Sequence, residues 1–175
     1  MAKAVGDYTR ALRSLRAGAG AVVMGPFGGF SHLKVPGKRQ VWIAGGIGAT
    51  PFLSMASVLG DDYEVELFYA TENEEDAYFL PEFAGRAGRA AGFNVTHVAR
   101  ERDGLVSAAL IAELVPDLGV RDILMCGPSA MMDDLSLQLA AIGVPRRKVH
   151  FERFSLFSKH LQKNAARNDF QTVRG

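Results

Sequence analysis

Val41-Trp42-Ile43-Ala44-Gly45-Gly46-Ile47-Gly48-Ala49-Thr50-Pro51 is the stretch on which the reading of this chain turns. An apolar, β-branched run feeds a glycine-rich turn, and Thr50-Pro51 leads into a second apolar stretch. That order predicts a strand, a loop and a helix. Glycine lets a backbone pass close to a ligand. Pro51 suits the first helical position, where no amide donor is needed. The free amides around it form the positive end of a helix and draw anions. A second stretch, Met125-Cys126-Gly127-Pro128-Ser129, also follows an apolar run. Two such turns point to a dinucleotide, gripped at its diphosphate.

The rest of the composition narrows the classes. The chain has 175 residues, 48% hydrophobic and 22% charged, enough for one domain with a substantial core, alone or with fragments of a neighbour. A net charge of +1 and the lack of a basic patch interleaved with aromatics argue against a nucleic-acid partner. The single cysteine, Cys126, forms no intrachain disulfide and no Cys/His zinc cluster, and His32, His97, His150 and His160 lack metal-ligand spacing, so no metal is expected. Residues 40–60 carry no formal charge. Four glycines and a proline make that stretch a buried strand, turn and helix rather than a membrane span. The start has no signal-peptide core, so a cytoplasmic chain is expected.

Apolar runs recur at 41–44, 64–70, 93–99, 121–126 and 148–151. Helical stretches fall between them at 51–59, 79–91, 107–114 (after Ser107, a good N-cap) and 129–142. Strand alternating with helix at this interval predicts an α/β fold with a doubly wound parallel sheet of five to six strands. The first 36 residues break the rhythm: a short amphipathic helix over 7–16, a strand over 20–24, then turn-rich Gly25–Phe30. They read as the tail of a preceding domain. Residues 155–175 lose apolar periodicity and are basic, a frayed helix or a disordered tail.

Ligands of such sheets bind at the carboxyl ends of the strands, where the strand order reverses. With the order 3-2-1-4-5, the first and fourth strands are neighbours, and both glycine turns line one crevice. The Gly46-x-Gly48 turn is not a full Rossmann fingerprint, because Pro51 stands where the third glycine belongs. A tight strand-to-helix turn without a ligand is the plain alternative. Gly46, Gly48, Thr50 and Pro51 are the residues expected at the diphosphate, with the Thr50 hydroxyl on a phosphate or capping its own helix. Arg100 and Arg102, after the third strand, are candidates for clamping a 2′-phosphate, which leans the coenzyme toward NADPH. Glu72, at the end of the second strand, argues the other way, since a carboxylate near the ribose favours a free 2′-hydroxyl.

Together these residues resemble the pyridine-nucleotide domain of the ferredoxin–NADP reductase superfamily. The match runs from Gly45–Pro51 through Cys126-Gly127-Pro128 to Phe151-Glu152-Arg153-Phe154. Within the superfamily the chain looks most like the bacterial ferric reductase and NADPH oxidase-like branch, whose Gly-x-x-Thr segment is similar to Gly6-Asp7-Tyr8-Thr9. The resemblance implies a Rossmann-like NAD(P)-binding domain over 37–154, preceded at 1–36 by the end of an FAD-binding barrel and followed by the basic tail at 155–175. It implies that Gly6 and Thr9 touch the flavin pyrophosphate. The Cys126 thiol would lie beside the nicotinamide C4, with Gly127, Pro128 and Met131 bordering the ring and its phosphates. Glu152 would supply charge or a proton relay near flavin N5, and Phe154 would stack on the flavin. Without the resemblance, Cys126 reads as a small buried hydrophobe, Met131 as core, and 151–154 as an alternating last strand.

The function so implied is hydride transfer from NAD(P)H to FAD, and electron transfer onward to an acceptor such as a membrane haem or ferric iron. The barrel's earlier strands, its Arg/His-Pro-aromatic-Ser/Thr motif and the haem helices are not in the sequence. The expectation is therefore an incomplete flavin oxidoreductase whose partners are the missing FAD-binding barrel and a membrane haem domain. On that expectation the isolated chain does not bind FAD tightly. A nucleotide-binding relay or regulatory subunit without its own flavin is the alternative.

Overall fold

The opening stretch does begin as a strand. β1 (Arg39–Gly45) has an exposed first residue and is buried throughout the rest. A strand covered on both faces needs no polar alternation, so its apolar run is continuous. The computed structural model describes residues 14–16, 18–20 and 29–153. Among them follow α1 (Ala49–Ser57), β2 (Glu64–Thr71), α2 (Leu80–Ala87), β3 (Phe93–Ala99), α3 (Arg100–Asp103), α4 (Ala108–Leu114), β4 (Asp122–Cys126), α5 (Ser129–Ala141) and β5 (Val149–Glu152). The helix expected over 7–16 and the strand over 20–24 lie largely outside the described residues, as do Gly6, Thr9, Phe154 and the tail.

The five strands are all parallel, in the order β3-β2-β1-β4-β5. This is the doubly wound α/β sheet expected, with the reversal between β1 and β4. Register aligns the carboxyl ends. Gly45 pairs with Ala70, Ala44 with Cys126, Thr71 with Ala99, and Cys126 with Glu152. The last residues of every strand therefore share one edge.

Alternate residues of each strand feed opposite cores. Trp42, Leu67, Tyr69, Phe93, Leu124 and Cys126 face α1 and α2, where Phe52 and Phe83 complete an aromatic cluster. Trp42 stacks on Phe52 with ring centroids 5.4 Å apart, and Tyr69 meets Phe83 edge-on at 5.8 Å. Val41, Ile43, Phe68, Ile123 and Met125 face α4 and α5, where Ile111, Met132, Leu135 and Leu139 pack.

Two helix boundaries and one added helix depart most from the expected elements. α1 begins at Ala49, after a 3-10 turn at Gly46–Gly48, so Pro51 is its third residue rather than its first. The proline remains tolerated because the first-turn amides have no intrahelical acceptor. α2 ends at Ala87, short of residue 91, with Gly88 at its cap. Gly92 lies so close to the Tyr63 carbonyl that any side chain there would collide with it. The four-residue α3 has no apolar periodicity to announce it, and Gly104 ends it at φ 78°.

Candidate functional site

The two glycine turns interlock. A Cβ on Gly48 would strike the Cys126 carbonyl, lying 2.6 Å from its carbon and 2.8 Å from the Cα of Gly127. A Cβ on Gly127 would lie 2.9 Å from the Cα of Gly45, and one on Gly45 would lie 2.7 Å from Cδ of Pro128 and 2.8 Å from the Met131 sulfur. Side chains do not fit at such separations, so these three glycines let two backbones touch. Gly46 differs. Its φ is +52°, and nothing lies within 4 Å of where a Cβ would stand. It supplies a left-handed turn and an open backbone face.

A cleft of about 850 Å³ opens above this junction, along the carboxyl edge of the sheet. Gly46 and Ile47 line it from the first turn, Pro128 and Met131 from the second, and Glu72 and Arg100 from the ends of β2 and β3. The helices α1 and α5 both start at this edge, and no side chain caps either N-terminus. The Ala49 amide of α1 is taken by the Gly46 and Ile47 carbonyls, so it is the uncapped first turn of α5, whose Ala130 and Met131 line the cleft, that favours an anionic group there. The cleft is large enough for a dinucleotide, the donors suit a diphosphate, and Gly46 leaves room for close approach. These residues fit the coenzyme the sequence suggested.

Not all of the expected residues line the cleft. Thr50 donates its hydroxyl to the Ile47 carbonyl at 3.1 Å, bracing the turn from within. Neither Thr50 nor Pro51 lines the cleft, and Gly48 is buried at the junction. Cys126 is fully buried in the α1–α2 core and is not part of the lining. Burial, with a smaller contribution from the Glu152 carboxylate, pushes its thiol up to about 12, so it stays protonated at neutral pH. Gly127 and Glu152 are partly buried at the same strand ends. Phe151 is exposed, and the Arg153 guanidinium lies 5.0 Å from its ring centroid. Gly6, Thr9 and Phe154 fall outside the described residues.

Both candidate clamp arginines are held by carboxylates. Arg100 Nη1 donates to the two oxygens of Glu72 at 3.1 and 3.2 Å. Arg102 pairs with Asp103 at 2.7 Å and also with Glu74. Of the two, only Arg100 lines the cleft.

Sequence reasoning missed the loop from Thr71 to Phe79, which forms one wall. Its lining includes Asp76 and Tyr78, faced by Leu105 beyond β3. Loop residues have no periodicity to read. The one signal was a large apolar residue in each flank, and Tyr78 and Leu105 are indeed exposed. The loop is fastened by side chains. Thr71 gives its only hydroxyl proton to the Asn73 carbonyl at 2.6 Å, so His97 Nε2, 2.8 Å from the same oxygen, must be the donor to it. That fixes the neutral His97 ring as its Nε2–H tautomer. Asn73 Oδ1 accepts from the Asp76 amide at 2.9 Å, a local turn that closes the loop. Among the described residues no three His, Cys, Asp or Glu side chains converge as metal ligands. No helix among them is long and apolar enough to cross a membrane.

The fold and the cleft define a dinucleotide-binding α/β domain. The family model for the oxidoreductase NAD-binding domain matches residues 42–136, over half of the chain, from β1 into α5. The chain belongs to that family. It is 32% identical over 152 residues to the ferredoxin–NAD(+) reductase component of the alkene monooxygenase system of Xanthobacter autotrophicus, covering 78% of this chain and 45% of that protein. It is 31% identical over 160 residues to NADH-cytochrome b5 reductase 1 of Cryptococcus neoformans, covering 80% of this chain and 54% of the relative. The chain thus spans about half the length of these curated relatives. Among solved structures, the cytochrome b5 reductase domain of Ulva prolifera nitrate reductase superposes with a TM-score of 0.71 at 23% identity, over 84% of this chain and 64% of that one, which establishes a shared fold.

Proposed function

We propose that this chain is the coenzyme-docking half of a flavin-dependent reductase. NAD(P)H bound in the cleft supplies a hydride, FAD held by the preceding domain at 1–36 and beyond accepts it, and electrons then leave singly for a protein acceptor. The contact between the Gly45–Gly48 and Cys126–Pro128 turns carries the reading. It puts the uncapped N-terminus of α5 and one open glycine backbone on a single cleft.

Each residue has a task within that reading. Gly46 and the first-turn amides of α5 bind the diphosphate. Pro128 and Met131 set the position of the nicotinamide end through their packing on Gly45. Cys126, protonated and buried beneath, keeps water out from under the ring. Glu152, the last residue of β5, and Phe154 would face the flavin. The ferric reductase and NADPH oxidase-like resemblance points to a membrane haem as acceptor. The names of the relatives favour another choice, a ferredoxin or a cytochrome b5.

Calorimetric or thermal titration of the chain with NADH and NADPH tests the proposal. A ligand that binds only the folded state stabilises it by about 2.7 kcal/mol at a hundred times its dissociation constant. A raised unfolding midpoint with at least one coenzyme is expected. No shift with either at millimolar concentration would leave a bare structural domain.

A further inference from the structure

We infer that Glu72 sets the coenzyme preference: it occupies the Arg100 guanidinium, closes the cleft to a 2′-phosphate and selects NADH. This rests on the reading that the cleft holds the dinucleotide.

The argument begins with what each end of the cleft offers. A diphosphate on the Gly46 turn leaves the adenosine ribose over the ends of β2 and β3. Glu72 and Arg100 stand there, both lining the cleft and both half exposed, at 56%. Arg100 spends one nitrogen on both Glu72 oxygens, at 3.1 and 3.2 Å. The pair is fixed in place by the backbone, since the Glu101 amide donates to the Glu72 carbonyl at 3.0 Å. The other nearby cation, Arg102, is held by Asp103 and Glu74 and does not line the cleft.

Charge around the cleft points the same way. Among the described residues lining it, Glu72, Asp76 and Asp134 are carboxylates and Arg100 is the one cation. A 2′-phosphate adds nearly two negative charges at neutral pH. A phosphate reaching the Arg100 guanidinium would have to compete with the Glu72 carboxylate for it, and the two anions would stand side by side. A 2′-hydroxyl has no such conflict, and it can donate to the Glu72 carboxylate. The arginine that the sequence alone reads as a phosphate clamp is thus a latent one, masked by its partner.

The test is titration of the full 175-residue chain with NADH and with NADPH, for wild type, Glu72→Gln and the double variant Glu72→Gln/Arg100→Ala. The wild type is expected to bind NADH more tightly. Glu72→Gln frees a charge-assisted donor and removes a repelling carboxylate, so NADPH affinity should rise about tenfold, with NADH changed by less than about threefold. The double variant should lose the gain. Added salt should shrink the wild-type discrimination, because exposed charges are screened. Thermal midpoints of the variants confirm folding, and Glu72→Thr serves as a second neutral replacement. Wild-type preference for NADPH, unchanged discrimination in both neutral variants, or a gain that survives loss of Arg100 each overturns the assignment. Failure of the wild type to bind either coenzyme overturns the dinucleotide reading itself, and this inference with it.

Discussion

Glycines that look alike in the sequence do different physical work. Gly48 is there because the Cys126 carbonyl occupies the space of its side chain, whereas Gly46 is there because its φ is +52°. The two should respond differently to substitution. Gly48→Ala forces two backbones apart and should cost about 2–3 kcal/mol in a urea unfolding series, in the range of an overpacked core. Gly46→Asn should cost less than about 1 kcal/mol, since asparagine tolerates the left-handed region. Its side chain would stand over the open face of the turn, so coenzyme affinity should fall although stability barely moves. Equal stability losses at both positions would contradict this division. The glycine pattern was legible in the sequence, but the division of labour was not, because it depends on the second turn, at Cys126, arriving from a distant part of the chain. Thr50 illustrates the same limit. Its hydroxyl could be assigned to a phosphate or to the local backbone from sequence, and its bond to the Ile47 carbonyl appears only once the 3-10 turn is formed.

Elements announced by apolar periodicity were placed well, and those without it were not. β1 and β4 are buried on both faces and read as unbroken apolar runs, while α5 has Met132, Leu135 and Leu139 at helical spacing on its buried side. The short α3 and the Thr71–Phe79 loop have no such signal. The join between elements is also set by polar groups that periodicity does not register. Asp122, at the start of β4 and 1% exposed, accepts from the Gly37 amide at 3.0 Å, from Lys148 at 3.3 Å and lies 3.3 Å from His150 Nε2. One carboxylate thereby ties the chain entering β1 and the chain entering β5 to the centre of the sheet. Asp122→Ala leaves a part-buried amide and a part-buried ammonium without their acceptor, and should cost about 3 kcal/mol in the same unfolding measurement. Asp133→Ala, which removes the exposed pair with Arg153, should change stability negligibly, as surface pairs do. A small loss at Asp122 would mean that water or another acceptor replaces the carboxylate.

For the molecule as a whole, the order expected of a doubly wound sheet, 3-2-1-4-5, put the two glycine turns at one point of reversal, and the observed order agrees. The segment leading into the sheet offered no comparable handle, and it holds a buried imidazole with both ring nitrogens unpaired. His32 is 2% exposed, and neither ring nitrogen has a hydrogen-bond partner. Its ring lies 5.9 Å from Trp42 and meets Tyr63 edge-on at 5.2 Å. Its carbonyl accepts from Gln40 Nε2 at 3.1 Å, while Gln40 Oε1 accepts from the Trp42 indole at 2.8 Å. Burial lowers the His32 pKa below the ordinary 6.5. The unfolded chain therefore takes up a proton first as pH falls, and global stability is lost from about pH 6.5 downward until the folded ring also titrates. His97, lowered by burial and by Arg102, adds a slope of the same sign. Trp42 is the only tryptophan, so its fluorescence reports unfolding beside the ring in question. Urea midpoints followed by that signal should fall between pH 7 and pH 5 in the wild type. His32→Phe should remove part of the fall and leave the share due to His97, and His32→Phe with His97→Gln should flatten this component. If the pH slope of His32→Phe matches that of the wild type, the ring is already satisfied in solution, and the entry segment contributes nothing to the acid sensitivity of the fold.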